Sequence, residues 1–291
     1  MPPQTRIRIA KPDILKLFRA NAARVYTRAD LERILAENRA FWRLAQSTTV
    51  NRFIDFMLDQ TDLRLVTLRF PSRSLSRYTW GDVPLWELIQ TLNPQGYFTH
   101  YSAMYLHGLT DQIPKTVYFN CEQSATGGGG RLTQDSIQRA FKAKCRVSNN
   151  VADYAEHRIC TLNGQNTGHL GVVEEQTTDG SCVRTTSIER TLIDATVRPV
   201  YSGGVFEVLR AYRLAQGRFS VNTLTAILRK LHYTYPYHHA IGFYLDRAGG
   251  YKPSQIELLR QFEFKYDFYL AHEMVDVEYN ERWRLFVPKG F

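Results

Sequence analysis

The 291 residues contain no C-x-x-C pair, no apolar run near 18 residues and no heptad seam. Cys121, Cys145, Cys160 and Cys182 are scattered, so their spacing suggests neither a zinc cage nor a disulfide framework. They are expected to be reduced and mostly buried thiols. Without an apolar run of about 18 residues, no membrane-spanning helix is expected, and the opening MPPQTRIRIAKPD lacks the apolar middle of a secretory signal. A cytoplasmic protein is therefore expected. No heptad announces an oligomer. Hydrophobic residues are not scarce: at 44% they exclude a disordered chain, and the length suggests two cores.

Lysine is also scarce where positive charge is densest. Residues 1–82 hold 15 Lys+Arg against 8 Asp+Glu, or +7, whereas residues 83–291 hold 22 against 20, or +2. Of those 15 cations, 13 are arginine and only Lys11 and Lys16 are lysine. The planar arginine fork suits phosphate oxygens and guanine edges better than an ammonium does, so double-stranded DNA becomes the leading partner.

Within residues 1–82 the pattern predicts a winged helix-turn-helix. Residues 13–22 carry Ile14, Leu15, Leu17 and Phe18 on one helical stripe. TRADLERIL begins with Thr27 and Asp30 at the spacing of an N-terminal cap, with Leu31, Ile34 and Leu35 facing a core. After ENRAFWRLAQ, the cluster Ser47-Thr48-Thr49 can cap a third helix whose apolar face is Val50, Phe53, Ile54, Met57 and Leu58. This is the expected recognition helix, with Thr48, Asn51 and Arg52 as base contacts and Arg28 and Thr49 beside them. LRLVTLRF, the turn-prone PSRSLS and RYTW then read as a hairpin, the wing, in which Arg69, Arg73 and Arg77 would follow the DNA backbone or a minor groove.

Residues 83–291 are expected to form a larger mixed α/β domain with a helical and strand-containing C-terminal part, making the whole chain α+β. In HGLTDQIPKTVYFN, His107 and Asp111 invite an acid/base reading, but no nucleophile or second histidine stands at motif spacing. His107 is expected in the last turn of a helix, favoured by its negative end, with Gly108 as the C-cap, and Asp111 is expected to organise a turn.

The order GYFTHYSAMYLHGLTDQIPKTVYFN, then TTSIERTLIDATVRP, behind the expected N-terminal winged helix, resembles the AbiEi family of antitoxins from type IV toxin-antitoxin and phage-defence systems. The resemblance implies that the first domain represses its operon by binding promoter inverted repeats, with a possible dimer on the DNA. It implies that the second domain counteracts a nucleotidyltransferase-like toxin. The second motif also has a local account: Ser187 can cap a helix, and Arg190 and Asp194 can pair on its surface. If that helix meets a toxin, Glu189 and Arg190 are the exposed candidates. The helical runs at 203–214, 219–231 and 237–248, followed by strand-like segments, depart from a compact antitoxin.

Other chemistry is weaker. GGGG at 127–130 is followed by Arg-Leu rather than Lys-Ser or Lys-Thr, so the phosphate-loop pattern fails. His238 and His239, with His232 six residues earlier than His238, point in different helical directions and read as surface or capping histidines. Asp246 with Glu263 and Lys265 has the order of a metal-dependent nuclease, yet Glu263 and Lys265 fall on the solvated side of an amphipathic strand, FEFKYDFYL. The expectation is a non-enzymatic, DNA-binding antitoxin that needs no metal or other cofactor. The alternatives are a standalone transcriptional regulator whose second domain senses a ligand or protein and, behind it, the nuclease.

Overall fold

A computed structural model describes residues 5–124 and 132–291, so the glycine run at 127–130 lies outside the described residues. The chain divides into two compact units, Met1–Pro94 and Gln95–Phe291, and the architecture is mixed α+β. No helix among the described residues is long and apolar enough to cross a membrane.

The first unit contains α1 (Arg6–Ile9), α2 (Lys11–Ala20), β1 (Val25–Tyr26), α3 (Arg28–Asn38), α4 (Val50–Gln60), β2 (Leu63–Phe70), β3 (Arg73–Trp80) and α5 (Leu85–Gln90). Thr27 starts α3 with a reciprocal cap: its hydroxyl accepts from Asp30 N at 3.2 Å, and its own N–H donates to Asp30 Oδ2 at 2.9 Å. Ile14, Phe18, Leu31, Leu35, Phe53 and Met57 form the core against Leu63 and Tyr78 of the sheet, whose order is β1-β3-β2. Trp42 and Leu44, from the connector before α4, are also buried there. The turn of the hairpin is tighter than expected. Phe70 pairs with Arg73, so RSLS belongs to β3 and only Pro71 and Ser72 connect the strands.

This unit continues past residue 82, the expected boundary, because α5 is tied back into it. Arg24 pairs with Glu87 at 2.6 Å, and Arg77 donates to the carbonyl of Thr91 at 2.8 Å.

The second unit is built on a six-stranded sheet of order β6-β7-β5-β4-β9-β8. Its strands are β4 (Tyr97–Phe98), β5 (Thr116–Glu122), β6 (Val151–Tyr154), β7 (His157–Gly164), β8 (Val172–Gln176) and β9 (Cys182–Thr186). Parallel pairs β5/β7 and β4/β9 alternate with antiparallel ones. The helices are α6 (His100–Leu106), α7 (Gln134–Lys142), α8 (Ile188–Val197), α9 (Val205–Leu214), α10 (Val221–Leu231), α11 (His238–Ala248) and α12 (Pro253–Arg260). Ser187 caps α8, its hydroxyl accepting from Arg190 N at 3.4 Å, and residues 190–196 of that helix are buried.

A small sheet, β10 (Phe268–Tyr269), β12 (Leu285–Pro288) and β11 (Val277–Asn280), closes the C-terminal part. The alternating segment FEFKYDFYL forms a strand only at Phe268–Tyr269. Phe262 and Phe264 instead pack on His238 at ring-centroid distances of 4.9 and 5.0 Å, and burial of aromatics against a helix replaces the ladder that alternation suggested. Gly242 is needed on α11 because a Cβ there would lie 2.0 Å from the ring of the buried Trp283.

Candidate nucleic-acid interface

Helix α4 presents polar side chains at its N-terminus because Thr49 stops the preceding backbone and starts the helix. The Thr49 hydroxyl accepts from Arg52 N at 3.3 Å, which leaves Asn51 and Arg52 exposed in the first turn. Arg28, at the start of α3, donates from Nη2 to Asn51 Oδ1 at 2.6 Å. Thus Arg28, Thr49, Asn51 and Arg52, from two helices, are brought into one exposed cluster. The opposite side of α4 buries Phe53, Ile54 and Met57, which fixes its rotation about its axis.

The hairpin contributes Arg69 and Arg73, both exposed beside its two-residue connection. By strand alternation, Arg69 shares a face with Leu63 and Leu65, and that face carries Leu63 and the partner of Leu65, Tyr78, into the helical core. Arg69 therefore extends the side of the sheet on which the helices pack, while Arg73 lies on the other side.

Two expected contacts are absent from this surface. Thr48 is only 9% exposed, since the connector folds inward behind Trp42 and Leu44. Its carbonyl accepts from Arg39 Nη2 at 3.0 Å, and Arg39 Nη1 donates to Ala45 O at 2.8 Å. Arg39 is thus a positioning residue that sequence reading missed: one guanidinium holds the segment leading into α4. Arg77 is likewise only 9% exposed, on the sheet face covered by the segment after α5, and it is spent on Thr91 Oγ1 at 3.1 Å and Thr91 O. Burial and the neighbouring Arg73 charge pull its pKa down while Asp30 opposes them. Arg43, exposed in the connector with φ of 51°, was also missed. The arginine count alone signalled it.

Asp30 illustrates the local electrostatics. Burial pushes its pKa up, but hydrogen bonds from Thr27 and the charges of Arg33 and Arg77 bring it below the ordinary carboxylate value. The anion is therefore held at the positive end of α3.

In the second unit, Arg190 is not an exposed partner residue. Arg190 and Asp194 are 5% and 6% exposed and pair at 2.7 Å, because α8 is covered on nearly every side. Burial alone would lower the Arg190 pKa, but the adjacent Asp194 carboxylate raises it. Glu189 is half-buried, and its Oε1 accepts from Ser220 N at 3.2 Å. His107 caps α6 and is buried, with Nε2 on Thr186 O at 2.6 Å, while Asp111 pairs with Arg210. Among the described residues no hydrogen bond or ion pair joins His107 to Asp111.

His238 and His239 are buried rather than on the surface, their N–H groups donating to the carbonyls of Glu263 at 3.1 Å and Trp283 at 2.8 Å. Asp246 accepts from Arg282 and from Trp283 Nε1 at 3.0 Å, whereas Glu263 and Lys265 are exposed. Among the described residues no three His, Cys, Asp or Glu side chains gather as a metal site. The thiols are free, but only Cys160 is buried: Cys121 and Cys145 are half-buried and Cys182 is exposed. Strand ends and connectors leave the other three thiols near solvent.

No family model and no curated protein matches the chain. Its fold is similar to that of the RV2827C protein from Mycobacterium tuberculosis, known from a crystal structure. The two share 13% identity with a TM-score of 0.61, over 96% of this chain and 91% of that one, a likeness of fold alone.

Proposed function

We propose that the first unit is a winged helix-turn-helix that binds double-stranded DNA, with α4 as the recognition helix and the β2–β3 hairpin as the wing. On this reading the chain works in the cytoplasm as an AbiEi-like antitoxin. It represses its own operon at promoter inverted repeats and counteracts a nucleotidyltransferase-like toxin through the second unit. The observation that carries the reading is the exposed set Asn51 and Arg52 at the start of α4 with Arg28 from the start of α3, together with Arg69 and Arg73 beside the hairpin turn. Asp55, exposed one turn further along α4, would be repelled by phosphate, so base reading is confined to the first turn.

Arginine-to-phosphate contacts release counterions, so affinity falls with salt by about 0.9 log unit per log unit for each contact. The test is binding of the full chain to its own promoter DNA across a salt series. Arg52→Ala and Arg73→Ala are each expected to weaken binding, and Arg73→Ala to flatten the salt slope by about 1. Arg77→Ala is expected to leave the slope unchanged and to destabilise the first unit by about 1–3 kcal/mol, read by urea unfolding, because the half-buried acceptors of Thr91 lose their donor. Absence of binding at low salt, or slopes indifferent to both exposed arginines, would end the DNA reading. Relief of toxin-induced growth arrest is tested separately. Full-length chain carrying Arg52→Ala should still relieve it while failing to repress, and no relief by the unaltered chain would remove the antitoxin half.

A further inference from the structure

A cavity of about 650 Å³ opens in the second unit, and every wall residue falls within Gln95–Phe291. The walls come from β4, β5, the end of β7, α8 and the connector between α10 and α11. Cavities of roughly 300–1,000 Å³ take small ligands and cofactors.

The lining charge is unbalanced. Three guanidiniums, Arg146, Arg190 and Arg198, face one carboxylate, Asp194. Arg190 is satisfied by Asp194 and by Leu170 O at 2.8 Å. Among the described residues neither Arg146 nor Arg198 forms an ion pair. Arg198 is half-buried, and its Nη1 rests on Cys145 Sγ at 3.2 Å, a weak acceptor for a fork with five N–H donors.

His100, also in the wall, departs from the pattern around it. Its Nδ1 is buried with no hydrogen-bond partner among the described residues. Its backbone has φ of 52°, a left-handed conformation that costs a non-glycine residue energy. Burial brings its pKa down to about 4, so the ring is neutral and offers one donor and one acceptor. The ring is held edge-on to Tyr201, with centroids 5.3 Å apart. Strain and an orphaned nitrogen on one cavity-lining residue are signs of a binding site rather than of packing.

The remaining wall is aromatic and amide-bearing. Tyr233, Tyr235 and Tyr237 stand on one connector, and Tyr233 and Tyr237 stay un-ionised because burial raises their pKa values. Asn163 and Gln165, both exposed, bring amides to the rim. An inorganic anion would use the two arginines and leave the tyrosine wall untouched. An apolar ligand would strip water from the guanidiniums without replacing it.

We propose that this cavity binds a nucleoside 5′-monophosphate, its phosphate on Arg146 and Arg198 and its base among the tyrosines of residues 233–237, with the amides and His100 available to ring edges and hydroxyls. Bidentate arginine suits the phosphate oxygens, and base-on-aromatic stacking suits the ring.

The test is calorimetry and saturation-transfer NMR on the full chain with each ribonucleoside 5′-monophosphate, its nucleoside and inorganic phosphate. At least one monophosphate is expected to bind with Kd below about 1 mM, and roughly tenfold tighter than its nucleoside or phosphate alone. Arg146→Ala, an exposed position, should weaken binding by roughly tenfold with an unchanged melting temperature. His100→Asn, which keeps a residue tolerant of the left-handed backbone, should weaken it severalfold. Arg52→Ala should leave nucleotide affinity alone, which separates this site from the DNA-binding reading. The proposal is overturned if no monophosphate binds, if phosphate binds as tightly as every monophosphate, or if Arg146→Ala changes nothing.

Discussion

Replacing Asp194 with alanine is expected to destabilise the second unit by about 3–5 kcal/mol, because it leaves a buried guanidinium without its counterion. Asp194 holds more than Arg190: it also accepts from Thr99 Oγ1 at 3.1 Å and from the Tyr233 hydroxyl at 3.4 Å. Arg190 in turn reaches Leu170 O, so the pair ties α8 to the end of β4, to the turn before β8 and to the connector before α11. Replacing both residues with leucine is expected to cost less than the single change, since water then has no stranded charge to be kept from. Hydrogen exchange over Gln95–Phe291 is the appropriate measurement, because two units need not unfold together. A loss below about 1 kcal/mol for Asp194→Ala would show that the guanidinium finds water or another partner.

Acidification from pH 7 to pH 5 is expected to remove about 4 kcal/mol through His238 and His239 alone, about 2 kcal/mol each. Burial depresses His238 to about 3, with the neighbouring His239 adding to it, and depresses His239 to about 4. In the unfolded chain both titrate near 6.5. Between those values the unfolded state binds more protons, so stability falls as pH drops below about 6.5 and levels off below about 4 for His239 and below about 3 for His238; well above 6.5 the effect is absent. Geometry explains the reluctance to protonate. His239 Nδ1 already donates to Trp283 O, and its buried Nε2 has no partner among the described residues to receive a second proton's hydrogen bond. Urea midpoints at the two pH values check this. His239→Gln should shrink the difference by about 2 kcal/mol, and an unchanged pH dependence would mean that the imidazoles reach solvent.

Features that depend on neighbours within a turn or two were legible. Thr27, Thr49 and Ser187 cap the helices their spacing announced, since a cap is decided by the next three residues. The stripe Phe53, Ile54 and Met57 is buried as its period requires, and the hairpin forms with Arg69 and Arg73 exposed. The exposed cluster on α4 was legible as a set of polar residues, but its join to Arg28 across 23 positions was not.

What composition and periodicity determined was the basic, arginine-rich first segment, the helices with their caps, and the hairpin. Tertiary structure alone decided which arginines face water. Arg77 is taken by Thr91 and Arg190 by Asp194 within a covered helix, while Arg146 and Arg198 meet at a cavity walled by distant strands. The physical reason is that a charged side chain is buried or left free according to partners brought in from remote parts of the chain, and no local period encodes them.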